Sequence, residues 1–163
     1  MPAQTYRRID LALAQLDAAL MLFLEYRDYA AAITLACAAE EVLGKEVNRR
    51  GRLVALDRRV IWYAARDRKD AIAEANRVRN ALKHFGDHEQ SDITADLEEA
   101  ARWMLERACE NAHQLELEVP RSAAFGEWYH KMLSERHAAR QSNSPQLNDV
   151  ETGESRVVSR RPK

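Results

Sequence analysis

The chain has 163 residues, only five Gly and four Pro, and a formal net charge of −1. That length suits one domain with a buried core, and the charge excludes a protein that coats nucleic acid by bulk attraction. Abundant Ala, Leu, Glu and Arg and the lack of sustained alternation predict an all-α fold of five to six helices without a sheet.

The first predicted helix spans about Thr5 to Tyr26, where Ile9, Leu13, Leu16, Leu20 and Phe23 form one apolar stripe. Arg7 and Arg8 precede it, but Asp10, Asp17 and Glu25 interrupt the apolar run. Neither a signal peptide nor a membrane span is expected, and the expected location is cytoplasmic. The second helix, about Asp28 to Arg50, stops at Gly51. Its alanines allow close approach of another backbone, so it should be central. Ile33, Leu35, Ala36, Ala39, Val42, Leu43 and Val47 make its apolar arc. Glu40 falls inside that arc and Glu41 at its edge. A core-facing acid needs a cation from elsewhere in the fold.

The third helix, about Arg52 to Arg66, carries Leu53, Leu56, Val60, Ile61 and Tyr63, and Arg66-Asp67-Arg68-Lys69 is a polar joint. A fourth helix follows, about Asp70 to Phe85, with Ile72, Ala75, Val78, Leu82 and Phe85 as its stripe and Gly86 as its stop. Asp87 to Asp92 reads as a short loop. The fifth helix, about Thr94 to Leu117, takes Thr94 as N-cap and faces Leu97, Ala101, Met104, Ala108 and Leu115 to the core, with Pro120 beyond it. In the sixth, about Ser122 to Ala139, Phe125, Trp128, Tyr129, Met132 and Leu133 pack back on the bundle. The bundle thus occupies residues 1–140. Residues 141–163 are too poor in apolar side chains to repay ordering entropy and read as a disordered tail ending in several cations.

Cys37 and Cys109 sit in helical patterns, which predicts buried free thiols rather than a disulfide. Charge is unevenly placed. Lys45 to Lys83 holds twelve Lys/Arg against five Asp/Glu, whereas Asp87 to Glu118 holds two against ten. The asymmetry reads either as two solvated helix faces or as a basic surface around the motif that attracts a polyanion.

The chemistry concentrates at the end of the fourth helix. With Ile72 at zero on a helical wheel, Lys83, Asn76, Asn80, His84 and Arg77 fall between about 20° and about 140°, one polar face. Asn80 and His84 are neighbours one turn apart. Arg79 leans toward the apolar side, which predicts an ion pair with Glu40. The carbonyl end of the helix dipole should raise the pKa of His84, which suits acid/base work on a phosphodiester. His84 and His88 alone do not make a metal site, so no metal and no cofactor is expected. No glycine-rich phosphate loop and no Cys–His pair is present, and the three tryptophans read as core residues.

Arg79-Asn80-Ala81-Leu82-Lys83-His84 resembles the Arg, polar residue, spacer, His motif of HEPN-domain proteins. Ala38-Ala39-Glu40-Glu41-Val42-Leu43-Gly44-Lys45 resembles the second helix of that family, and the resemblance extends from roughly Thr5 to Leu117. It implies an up-down helical bundle that dimerises with two motifs facing one cleft. It also implies a metal-independent endoribonuclease, often a toxin or defence effector, with His84 acting on the 2′-hydroxyl or the leaving oxygen. Arg79 would stabilise the phosphorane and Asn80 would orient the phosphate or His84. The product would carry a 2′,3′-cyclic phosphate. Glu40 and Glu41 would support the motif from behind, and Asn76, Arg77 and Lys83 would touch RNA. Other members are noncatalytic, or bind nucleotides beside a nucleotidyltransferase partner, and an antitoxin is a further partner class. A noncatalytic binding module and a purely structural bundle remain alternative readings of the same residues.

Overall fold

A computed structural model describes residues 2–62, 68–83 and 92–142. Residues 63–67 (Tyr63 and the Arg66 and Asp67 of the polar joint among them), His84, Phe85, Gly86, most of the loop after it, His88 and the tail from 143 lie outside the described residues, as do the side chains of Val60, Trp62, Arg68, Ala71, Glu74, Ala75 and Gln141. The described residues form six α-helices and no strand. They are α1 (Arg8–Met21), α2 (Tyr29–Arg49), α3 (Ala55–Trp62), α4 (Arg68–Lys83), α5 (Leu97–Gln114) and α6 (Ser122–Ser142). None is long and apolar enough to cross a membrane. The chain divides into two compact units, Met1–Trp128 and Tyr129–Lys163.

The core of the first unit lies between α1, α2 and α5. The stripe of α1 is as its spacing predicts: Leu16, Leu20 and Phe23 are buried, and Ile9 and Leu13 pack against them. The helix starts later than Thr5 and ends differently. Leu22–Tyr26 winds as a π-helical turn that closes on Arg27 at φ 53°. Asp28 then caps α2, its carboxylate accepting from the Ala31 amide at 3.1 Å. Five small residues of α2, Ala32, Ala36, Cys37, Ala39 and Gly44, are buried and let α1 and α5 approach. Gly51, at φ 71°, adopts the left-handed geometry that an L side chain resists just past the helix end.

The N-cap of α5 is Asp96, not the expected Thr94; its side chain accepts from the Glu99 amide at 3.0 Å. The helix also ends before Pro120 acts. Glu116 takes φ 60°, and the Leu117 amide returns to the Ala112 carbonyl at 3.1 Å. At the start of α6, Phe125 is buried and stacks on Trp128, both rings meeting Phe23 edge-on.

Trp103 is not a core residue. It is half-buried, with the guanidinium groups of Arg59 and Arg102 over its ring, 4.9 and 4.5 Å from the ring centre. Both cysteines are free, and Cys37 is buried as expected. Burial pushes the thiol of Cys109 up to about 12, so it stays protonated and unreactive near neutrality.

Candidate functional site

Glu40 and Glu41 leave α2 in adjacent directions and meet different surroundings. Glu40 is 7% exposed, as the helical arc predicts, whereas Glu41 is exposed. The expected Glu40–Arg79 pair is not formed. Glu40 Oε1 accepts instead from Arg107 Nη2 at 2.8 Å, and that guanidinium is itself buried at 2% exposure. Arg79 Nη2 lies 3.9 Å from Glu41 Oε2. A core-leaning acid does need a cation, but α5 supplies it. Arg107 was legible by the same geometry that placed Glu40. It lies three residues after Met104 and four before Asn111, both buried, and therefore on the flank of the stripe of α5.

The second surprise is Asn76. The wheel puts it on the polar face, but it is buried, and its Oδ1 accepts from Arg107 Nη1 at 3.0 Å. At the other edge Leu82, predicted to face the core, is 39% exposed. The inward face of α4 is turned toward Asn76 and away from Leu82. The physical reason is that a buried guanidinium demands acceptors more strongly than one leucine demands burial. Val78 keeps its predicted place against the core, and Ile72 is half-buried.

The remaining motif residues separate by depth. Arg79 is half-buried; its Nε is inaccessible to solvent and has no hydrogen-bond partner among the described residues. Asn80 and Lys83 are exposed, and so is Arg77, whose Nη1 donates to the Thr94 carbonyl at 3.4 Å. His84 lies outside the described residues. Thus Asn76 is turned inward, while Arg77, Asn80 and Lys83 remain accessible to a ligand.

Electrostatics ties this face to α2. Lys45 Nζ donates to Glu41 Oε1 at 2.8 Å, one turn along the helix. That hydrogen bond, then the charge of Lys45, holds the Glu41 carboxyl below its ordinary value, with smaller help from Lys83 and Arg79. One carboxylate therefore sits amid three cations, and the group keeps a surplus of positive charge at the surface. Such a cluster can take a phosphate: Lys83 offers an exposed point charge beside the half-buried guanidinium of Arg79.

Elsewhere the charged side chains are spent on structure. Arg59 pairs with Glu106 at 2.9 Å and joins α3 to α5. Asn111, fully buried, accepts from the Ala55 amide at 2.9 Å and so caps the start of α3. Arg121 binds Asp17 and, at 3.2 Å, Glu25. A groove of about 840 Å³ beside the end of α5, lined among others by Cys109, His113, Glu118 and Ser122, contains none of the motif residues. Among the described residues no group of three or more His, Cys, Asp or Glu is placed to hold a metal ion.

No protein-family model matches this chain, and no curated protein and no solved structure matches it significantly.

Proposed function

We propose that the chain is a HEPN-like, metal-independent endoribonuclease that acts as a homodimer, with two motif helices facing one cleft. The observation that supports this reading is the exposed cationic face of α4. There the half-buried Arg79 lies beside the exposed Asn80 and Lys83. In this reading a phosphodiester takes up Arg79 and Lys83, and Arg79 neutralises charge as the phosphorane forms. His84, four residues beyond Asn80 in sequence, moves the proton of the attacking 2′-hydroxyl or protonates the leaving 5′-oxygen. Attack from within the RNA leaves a 2′,3′-cyclic phosphate. A toxin or defence role, with an antitoxin or nucleotidyltransferase partner, belongs to the same proposal.

The test is cleavage of structured RNA by the purified chain in EDTA. Wild-type protein should yield 2′,3′-cyclic phosphate ends. His84→Ala should lower the rate by about 10²–10⁴, and Arg79→Ala by about 10²–10³, with the helical circular dichroism unchanged. Wild-type cleavage rates in His84→Ala would refute the assignment. Tight binding of RNA that stays intact would instead mark a noncatalytic module. Light scattering tests the dimer, since a strict monomer cannot form a two-motif cleft.

A further inference from the structure

The helix that carries the motif is held in an unusual way. α1, α2 and α5 share a continuous apolar core, but α4 meets α2 and α3 far more sparsely, and α5 is not among its main packing partners. Among the α4 side chains described, the one that is buried is polar: Asn76, at 8% exposure. Its partner comes from α5. Arg107 reaches across from α5, giving Nη1 to Asn76 Oδ1 at 3.0 Å and Nη2 to Glu40 Oε1 at 2.8 Å.

The chemistry of that junction is specific. An apolar contact would let α4 rotate or slide by a fraction of a turn at little cost, since it has no direction. A guanidinium is a planar fork whose donors have fixed angles. With one branch fixed on Glu40, the other defines a single position for the Asn76 amide. Asn76 is three residues before Arg79 and four before Asn80, so fixing its azimuth fixes theirs. Arg79 then faces Glu41, and Asn80 is turned to solvent, as is Lys83.

We infer that Arg107 is the positioning residue of the motif face: through Asn76 it sets the rotation of α4, and through Glu40 it refers that rotation to α2. As the anchor of α4 this stands by itself; as the device that aims Arg79 and Asn80 at RNA it rests on the function proposed above.

Two substitutions separate positioning from general support. Asn76→Leu keeps the bulk of the side chain and removes the acceptor. Arg107→Lys keeps the charge opposite Glu40 but cannot serve both acceptors with a fixed fork. Hydrogen exchange of the full chain is the readout. In both variants amides of α4 should exchange about tenfold faster or more, while inner amides of α1, α2 and α5 keep wild-type rates. A 2′-O-methyl RNA, which lacks the attacking hydroxyl, should bind more weakly to both. Unchanged α4 exchange overturns the inference. So does acceleration spread equally over α1, α2 and α5, which is the pattern of a general stabiliser. Exchange confined to α4 in a protein whose wild type does not bind RNA supports the anchor and removes the RNA reading.

Discussion

Two regions of this molecule are built on opposite principles. Where α1, α2 and α5 meet, the interior is Leu16, Leu20, Ile33, Leu43 and Leu105 closed over alanines. Where α4 meets the rest, the buried contact is a carboxylate, a guanidinium and an amide. Apolar packing is strong, tolerant of shape and blind to direction. A buried charge pair adds little net stability but is intolerant of losing a member. The contrast explains why the motif face can be accessible and still well aimed: its orientation comes from a directional contact beneath it.

The sharpest way to break the contrast is to remove one charge. Glu40→Ala leaves Arg107 buried without its counterion and should cost about 3–5 kcal/mol, measured by urea unfolding. Pairing it with Arg107→Met removes both charges, and part of the loss should return. If the single and double variants unfold alike, the interior at Glu40 is wetter than its burial implies.

Leu16→Ala probes the other region. It should cost about 2–5 kcal/mol, and exchange should rise throughout α1, α2 and α5, unlike the α4-restricted change expected at Asn76. A smaller contribution comes from the ends of the helices. Asp96→Ala should cost about 0.5–2 kcal/mol, whereas Thr94→Ala should be near neutral, since Asp96 is the cap. A larger loss at Thr94 would restore it as the cap.

The same division sets what the sequence discloses. Periodicity read the helices and the stripe of α1 correctly, because many apolar residues report the same face and one odd residue does not shift it. It also placed Glu40 inside. It misassigned the partner, because pairing of charges on different helices depends on interaxial geometry that no single helical wheel contains. Arg79 and Arg107 both flank an apolar stripe; only the packing of α5 on α2 decides between them. Asn76 and Leu82 were exchanged for a related reason. On α4 few apolar side chains point inward, so a single long arginine from another helix turns the face.

Glu41 gives the smallest effect on stability and the most direct one on ligand binding. Its carboxyl is held below its ordinary value by Lys45, mainly through a hydrogen bond, and by the charges of Lys45, Lys83 and Arg79. A depressed carboxylate contributes stability that is present above its unfolded pKa and fades as the pH falls through the folded one. The contribution is therefore complete at neutral pH and declines only in acid, below the ordinary carboxylate range. With the side chain 47% exposed, Glu41→Gln should move the melting temperature little. Binding should respond differently. In the free protein Glu41 occupies the field of the cations that an RNA phosphate would use, so a phosphate must compete with it. Glu41→Gln keeps the shape and removes the competitor. Affinity for 2′-O-methyl RNA should rise several-fold at low salt, and the salt dependence should steepen by about one phosphate contact or less. A fall in affinity, with the exchange pattern of α4 intact, would mean that Glu41 holds Arg79 in place for the ligand instead of competing for it.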